Sequence, residues 1–421
     1  MSRFFYNTLL YLMTPLVLLR LLWRGRQSPA YWRRWGERFG WFQAPVLDEP
    51  LWIHAVSVGE AQAAAPLIEV LLTGYPERSL VVTTTTPTGS QRVRELFGDR
   101  VFHVYLPYDL PGAVRRFLRR VQPRLALIME TELWPNLFHQ CAAQDIPVII
   151  ANARLSPQSA AGYARIGPLV RRTLADVSLI AAQGEADAQR FRALGAVAER
   201  VMVMGNLKFD QTLPDDLAAR AAELRQQLGA ERPVWIAAST HEGEEEKLLD
   251  AHARLCETQP DALLLLVPRH PERFPKVAAL VQRRGFKLVR RTEGRACEAD
   301  TDVFLGDTLG ELPLFYAAAD VAFVAGSLVP VGGHNMLEPA ALGVPVLFGP
   351  QLFNFVEISS ALLAAGAARQ IGDAGQLAQV VAALLGDPEQ RRVMGEAGRQ
   401  LVVENRGALA RLEVQIAAHL A

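Results

Sequence analysis

Residues 51–60 read Leu51-Trp52-Ile53-His54-Ala55-Val56-Ser57-Val58-Gly59-Glu60. An apolar run over 51–57 breaks at a serine and a glycine, and a helical pattern over 61–72 begins at once. A strand handing over to a helix this quickly is the unit of a parallel sheet, whose strands need a covering crossover between them. The unit recurs downstream. Apolar runs at 80–84, 101–105, 125–129, 148–151, 179–182 and 201–204 alternate with helical stretches such as 112–121 and 185–194. The runs are continuously apolar, as in strands covered on both faces.

A polar break follows over 206–232, with Lys208, Phe209, Asp210, a Pro214-Asp215-Asp216 turn and an alanine-rich helix ending near Gly229. The alternation then restarts at 234–238 and continues at 263–267, 287–290, 303–305, 321–325 and 344–348, with terminal helices over 388–420. The expected fold is α/β, with two doubly wound, Rossmann-like halves: 41–205, a linker at 206–232, and 233–421. A chain of 421 residues is too long for one ordinary core, which agrees with two domains. Ligands of such sheets bind at the carboxyl ends of strands, and a cleft between two of them is a common small-molecule site.

Composition narrows the class. Half of the residues are hydrophobic and the formal net charge is zero, so bulk electrostatics give no case for nucleic acid. Cys141, Cys256 and Cys297 are scattered, without metal-ligand spacing or a disulfide framework, which suits a reducing compartment. No Gly-x-x-x-x-Gly-Lys-Ser/Thr loop is present, and no Gly-x-Gly-x-x-Gly follows the first strand, which disfavours nucleoside triphosphatases and dinucleotide-linked dehydrogenases.

Residues 1–40 stand apart. Seven arginines (Arg3, Arg20, Arg24, Arg26, Arg33, Arg34, Arg38) face one acid, Glu37, and residues 4–19 are almost wholly apolar. A spanning helix needs roughly 20 apolar residues, so the stretch is marginal for crossing a bilayer. No small-residue cleavage site follows it, which counts against a cleaved signal. Arginines interleaved with Trp23, Tyr31, Trp32 and Trp35 suit an anionic cytoplasmic leaflet. A membrane-associated N-terminal helix is therefore expected, lying on the membrane or spanning it; a helix packed on the protein's own core is the alternative.

The strand-exit loops hold the candidate chemistry. Glu60 begins a helix at a strand end, where a carboxylate fits a helix-start residue as well as a general base. Glu130-Thr131-Glu132-Leu133-Trp134-Pro135-Asn136 places two acids beside an aromatic and a helix-starting proline. One acid would suffice for capping; two point to a sugar, a cation or a proton as ligand. Gly205-Asn206-Leu207-Lys208 offers a lysine near the hinge. In the second half, Ser239-Thr240-His241-Glu242, Pro268-Arg269-His270-Pro271-Glu272-Arg273 and Thr308-Leu309-Gly310-Glu311-Leu312 all follow strands. Arg269 offers a forked phosphate contact. Gly326-Ser327 and Gly332-Gly333-His334-Asn335-Met336-Leu337-Glu338-Pro339 suggest main-chain amides approaching a phosphate at a helix start, with Glu338 on ribose hydroxyls. Asp300-Thr301-Asp302 precedes a strand and reads as a turn, not a metal pair.

Taken in order along almost the whole chain, these motifs resemble those of the Kdo (3-deoxy-D-manno-octulosonic acid) transferases of lipopolysaccharide assembly. The resemblance implies a GT-B fold, CMP-Kdo as donor, a lipid A precursor as acceptor at the inner membrane, inversion, and neither a metal nor a further cofactor. It implies Glu60 as general base, assistance by Glu130 and Lys208, and CMP held by Arg269, His270, Gly310, Glu311, Asn335, Met336, Leu337 and Glu338. Competing expectations are another GT-B sugar-nucleotide enzyme, such as a UDP-sugar transferase or epimerase, and a membrane-docked sugar-nucleotide binder without chemistry.

Overall fold

A computed structural model describes residues 2–27, 29–210 and 213–420. It divides into two compact units, Met1–Asp210 with Arg406–Ala421, and Gln211–Asn405. The first holds seven parallel strands: β1 Leu51–His54, β2 Leu80–Thr84, β3 Phe102–Tyr105, β4 Leu125–Met129, β5 Val148–Ala153, β6 Leu179–Ala182 and β7 Val201–Val203. Their order is β3-β2-β1-β4-β5-β6-β7. Successive side chains leave opposite faces of a strand, so the apolar runs build two cores at once. Trp52, Val81, Ala126 and Ile128 pack under Phe117 on one face, while Leu51, Ile53, Val82 and Leu127 pack on the other. Polar groups this deep in β1 and β2 bond to one another in part: Thr83 Oγ1 lies 2.9 Å from both Trp52 Nε1 and His54 Nδ1, while His54 Nε2 is buried without a partner among the described residues. Burial lowers the pKa of His54 to about 4, so it sits there neutral.

The second unit repeats the plan with β8 Val234–Thr240, β9 Leu263–Pro268, β10 Leu288–Arg290, β11 Val303–Leu305, β12 Val321–Val324, β13 Val346–Phe348 and β14 Ala368–Gln370, ordered β10-β11-β9-β8-β12-β13-β14. Every expected strand has its counterpart. β14 is additional: Ala-Arg-Gln at a sheet edge carries no apolar run to announce it.

Unit boundaries differ from the sequence expectation at both ends of the second half. Helix Leu217–Leu228, placed in the linker, buries Leu217, Ala221, Leu224 and Leu228 against Ile236 and Phe315 of the second unit. The last helix, Ala408–Leu420, belongs to the first unit, where Ala408, Leu412 and Ile416 join the β1 side core. Asp210 ties it there, accepting from the Gly407 amide at 2.5 Å and the Leu409 amide at 2.6 Å. Arg411 adds two bonds to the Met204 carbonyl, at 2.9 and 2.6 Å. An amphipathic pattern says that a helix covers a sheet without saying which one.

The N-terminal helix Arg3–Gln27 is long and apolar enough to cross a membrane by length and composition. Its first half is inverted in amphipathicity, whereas in the second half Val17, Leu18 and Leu21 are the partly or fully buried positions. The stripe turned toward the first unit holds Arg3, Tyr6, Asn7, Leu10 and Thr14, while Phe4, Phe5, Leu9, Leu12, Leu16, Leu19 and Trp23 are exposed. Asn7 and Tyr6 bond to the body of the unit, and Arg3 lies 3.9 Å from Asp176.

Candidate active site

In the first unit the strand order reverses between β1 and β4, so the loops after these two strands diverge and open a crevice at the carboxyl edge. Glu60 follows β1 and Glu130 follows β4. Ser57 caps helix Val58–Gly74, accepting from the Glu60 amide at 3.4 Å. The Glu60 carboxyl reaches back and accepts from the Val56 amide at 2.7 Å and the Ser57 hydroxyl at 3.4 Å. The arrangement is a variant of the capping box, with the carboxyl on the amide one residue before the cap, so the helix-start description holds geometrically. Burial, the largest influence, nevertheless pushes the pKa of Glu60 up to about 8, with Glu130 and Glu132 adding to it against the Val56 and Ser57 bonds. A carboxyl poised near neutrality can accept a proton during a reaction. Gly59 is not the turn-maker its position suggests. It lies inside the helix without positive φ, and a Cβ there would find Ser57 Oγ nearest, at 3.9 Å.

Glu130 sits in the left-handed region at φ 56°, a conformation that costs about 1–3 kcal/mol in a side-chain-bearing residue and concentrates at functional sites. Its amide still pairs with the Ala151 carbonyl at 2.9 Å, which fixes the loop to β5. Burial first, and Glu130 second, raise the pKa of Glu132 to about 7. Trp134 follows, its indole N–H buried without a hydrogen-bond partner. Lys208 stands on the turn Leu207–Phe209 after β7. Asn206 accepts from the Lys208 amide and donates to Gln183, both at 3.0 Å, and Asn152 at the end of β5 accepts from the Leu207 amide at 3.0 Å. The lysine backbone is thus set by the exits of β5, β6 and β7.

In the second unit the order reverses between β8 and β12. His241 follows β8 and His334 lies in the loop after β12, with Nε2 atoms 2.8 Å apart. Ring planes 5° apart and centroids 5.0 Å apart describe two coplanar imidazoles joined edge to edge rather than a stack. His270 meets His241 at 5.4 Å, nearly perpendicular. Burial first, then the neighbouring imidazoles and Arg269, lower His241 to about 4 and His334 to about 3, so both are neutral around pH 7 and one Nε2–H donates to the other ring. Arg269 acts electrostatically on both histidines and also on Glu338. Burial raises the pKa of Glu338, opposed by a 3.1 Å bond from Asn335. Gly332 and Gly333 both have positive φ, and a Cβ at 332 would strike Asn354 and Phe353 at 2.4–2.7 Å.

Three details depart from the sequence expectation. The amides of Gly326, Ser327 and Leu328 are not open to a phosphate: the buried Glu244 carboxylate accepts from them at 2.7, 3.2 and 3.0 Å. The Glu311 carboxylate is held by Arg291 at 2.8 and 3.0 Å and by Thr308 at 2.6 Å, which leaves the main chain for a ligand. The side chains of Met336 and Leu337 are core residues, and Asn335 accepts from the Leu337 amide at 3.1 Å. Asp302 accepts from the Lys287 amide at 2.7 Å, as a turn residue does. Among the described residues, no cluster of three His, Cys, Asp or Glu is arranged to hold a metal ion.

Residues 33–211 match the family model described as 3-Deoxy-D-manno-octulosonic-acid transferase (kdotransferase), and residues 233–401 match Glycosyl transferases group 1. Over 415 residues the chain is 46% identical to the 3-deoxy-D-manno-octulosonic acid transferase of Haemophilus influenzae, covering 98% of this chain and 97% of that one. The chain belongs to the Kdo transferase family. A second Kdo transferase, from Bordetella pertussis, is 40% identical over 98% of both chains. A solved UDP-GlcNAc 2-epimerase from Neisseria meningitidis bound to UDP-GlcNAc is similar in fold alone, with a TM-score of 0.57 at 14% identity over 87% of this chain and 100% of that one. The chain is a glycosyltransferase of the GT-B class, built from two Rossmann-like domains.

The sequence singles out Glu60, Glu130, Lys208, Arg269, His270, Gly310, Glu311, Asn335, Met336, Leu337 and Glu338 as candidates, gives Glu132 no role apart from its pairing with Glu130, and leaves His241 and His334 without one. All three were visible in the strand-exit motifs. What would have found them is the strand order, which puts the loops after β8 and β12, and after β1 and β4, side by side.

Proposed function

We propose that this Kdo transferase moves Kdo from CMP-Kdo onto a lipid A precursor such as lipid IVA, at the cytoplasmic face of the inner membrane, with inversion and without a metal. The first domain takes the acceptor and the second the donor. The observation that carries this reading is the group of three carboxyls at the β1/β4 crevice, with Glu60 raised to about 8 and Glu132 to about 7. An anionic donor alone gives no reason for buried acids; proton removal from an acceptor hydroxyl does. Glu60 takes that proton as the hydroxyl oxygen attacks the anomeric carbon, the bond to CMP breaks, and CMP departs with the electron pair on its phosphate. Glu130 and Lys208 assist in the transition state. Arg269, His270, Asn335 and Glu338, with the main chain of Gly310, Glu311, Met336 and Leu337, hold CMP.

The membrane assignment rests on the N-terminal helix, inverted in its first half. Its polar stripe is taken up by the first unit at Arg3, Tyr6 and Asn7, and its bulky apolar side chains face outward. We read this helix as lying along the membrane surface, its first turn held by the protein and its bulky apolar side chains toward the lipid. The test is incubation with CMP-Kdo and lipid IVA, followed by mass analysis of the lipid. A gain of one or more Kdo units supports the proposal, and unchanged lipid overturns it.

A further inference from the structure

The N-terminal helix is seated on the same carboxylate that starts the helix behind the acid loop. Asp109, 3% exposed, accepts from the Tyr6 hydroxyl at 2.9 Å and from the amides of Asn136 at 2.9 Å and Leu137 at 2.8 Å. The Asn136 side chain donates to the Asp109 carbonyl at 2.6 Å and to Asn7 Oδ1 at 2.7 Å. Asn136 and Leu137 are the second and third residues of helix Pro135–Ala142, the positions whose free amides a capping side chain normally serves. The residue at the cap position, Trp134, provides no side-chain bond, so the cap comes from Asp109. Directly before that helix start stand Glu130, Glu132 and the unpartnered Trp134 indole.

Tyr6 and Asn7 are therefore polar in a place where a plain anchor would be apolar, and their partners are the residues that anchor the acid loop. We infer that Asp109 is a positioning residue that couples the seating of the N-terminal helix to the geometry of the Glu130–Trp134 loop, so that turnover depends on Tyr6 and Asn7 as well as on membrane contact. The inference rests on the reading of those acids as part of the transfer site. When the helix leaves its seat, a buried carboxylate loses one of three donors and the loop loses the fixed end against which Glu130 and Glu132 are set.

Full-length Tyr6→Phe and Asn7→Leu keep the outward apolar face intact. Sedimentation with phosphatidylethanolamine–phosphatidylglycerol vesicles should stay within about twofold of the parent chain, because burial of the apolar face is unchanged. With lipid IVA, kcat should fall about tenfold in Tyr6→Phe, which loses a hydrogen bond to a carboxylate, and about fivefold in Asn7→Leu, which loses a bond between two neutral amides, while KM for CMP-Kdo stays put. Hydrogen exchange at the Asn136 and Leu137 amides should speed up about tenfold in the same variants. Parental kcat and parental exchange would overturn the coupling. So would a loss of kcat accompanied by loss of vesicle binding, which makes the helix an anchor only. If the parent chain itself makes no Kdo-lipid, the proposed reaction fails, and the exchange comparison still decides the coupling.

Discussion

The Glu60 carboxylate accepts a 2.7 Å hydrogen bond from the Val56 amide, four residues before it, so the turn that ends β1 is closed by the side chain proposed to take the proton. The same group is held protonated by its burial, up to a pKa of about 8. The Val56 bond opposes that rise, because it favours the ionised form that a base needs.

A pH profile follows from that shift. As a base Glu60 must be ionised, so kcat/KM for the acceptor should rise with pH along a limb near 8, well above the ordinary carboxyl range. Glu132→Gln removes one influence that raises this pKa, and the limb should move to lower pH. A limb that stays in place would contradict the carboxyl cluster. Stability should run the other way. A raised carboxyl keeps its proton in the folded chain above pH 4.5, so stability falls as pH climbs from there through about 8, and Glu60→Gln should flatten that fall in thermal midpoint against pH.

Arg269 is expected to act on the donor side. Arg269→Ala should raise KM for CMP-Kdo by about 10- to 100-fold, the range of a charge-assisted hydrogen bond, and leave acceptor KM within experimental scatter. Initial rates with each substrate varied in turn measure this. An unchanged donor KM would remove Arg269 from the site.

Glu244 is predicted to be the structural keystone of the β12 loop. Glu244→Ala leaves the buried amides of Gly326, Ser327 and Leu328 without their acceptor and should cost about 3 kcal/mol in urea unfolding, with loss of CMP affinity in the folded fraction. Unaltered unfolding would mean that those amides find other partners.

Asp210→Ala should free the last helix. Removing both bonds to the Gly407 and Leu409 amides costs about 1–2 kcal/mol, as loss of a helix cap does, and should expose the segment after 405 to limited proteolysis. Parental protection would show that the apolar contacts of Leu412 and Ile416 suffice.

Sequence pattern made the fold legible wherever apolar runs were long, and this covers every strand but β14, whose Ala-Arg-Gln has no periodicity to recognise. It misplaced the last helix because Ala408, Leu412 and Ile416 would suit either sheet; Asp210 decides between them through two main-chain bonds that no periodicity encodes. At the candidate site, residue types and strand ends were enough to single out Glu60 and Arg269 as candidates. Glycine-rich sequence misled at 326–328, because a carboxylate distant in sequence fills the amides that glycine leaves accessible. Asp109 and Glu244 stayed hidden for the same reason: their work is bonding to main chain, and its partners appear only once the chain has folded.

The decisive measurement is single-turnover transfer with Glu60→Gln beside the parent chain, reading Kdo-lipid by mass and CMP affinity by calorimetry. The carboxamide keeps the shape of the turn but cannot take a proton, so CMP should bind as before while product formation falls by about a hundredfold or more. Product at the parental rate from Glu60→Gln would contradict the assignment of Glu60 as the base.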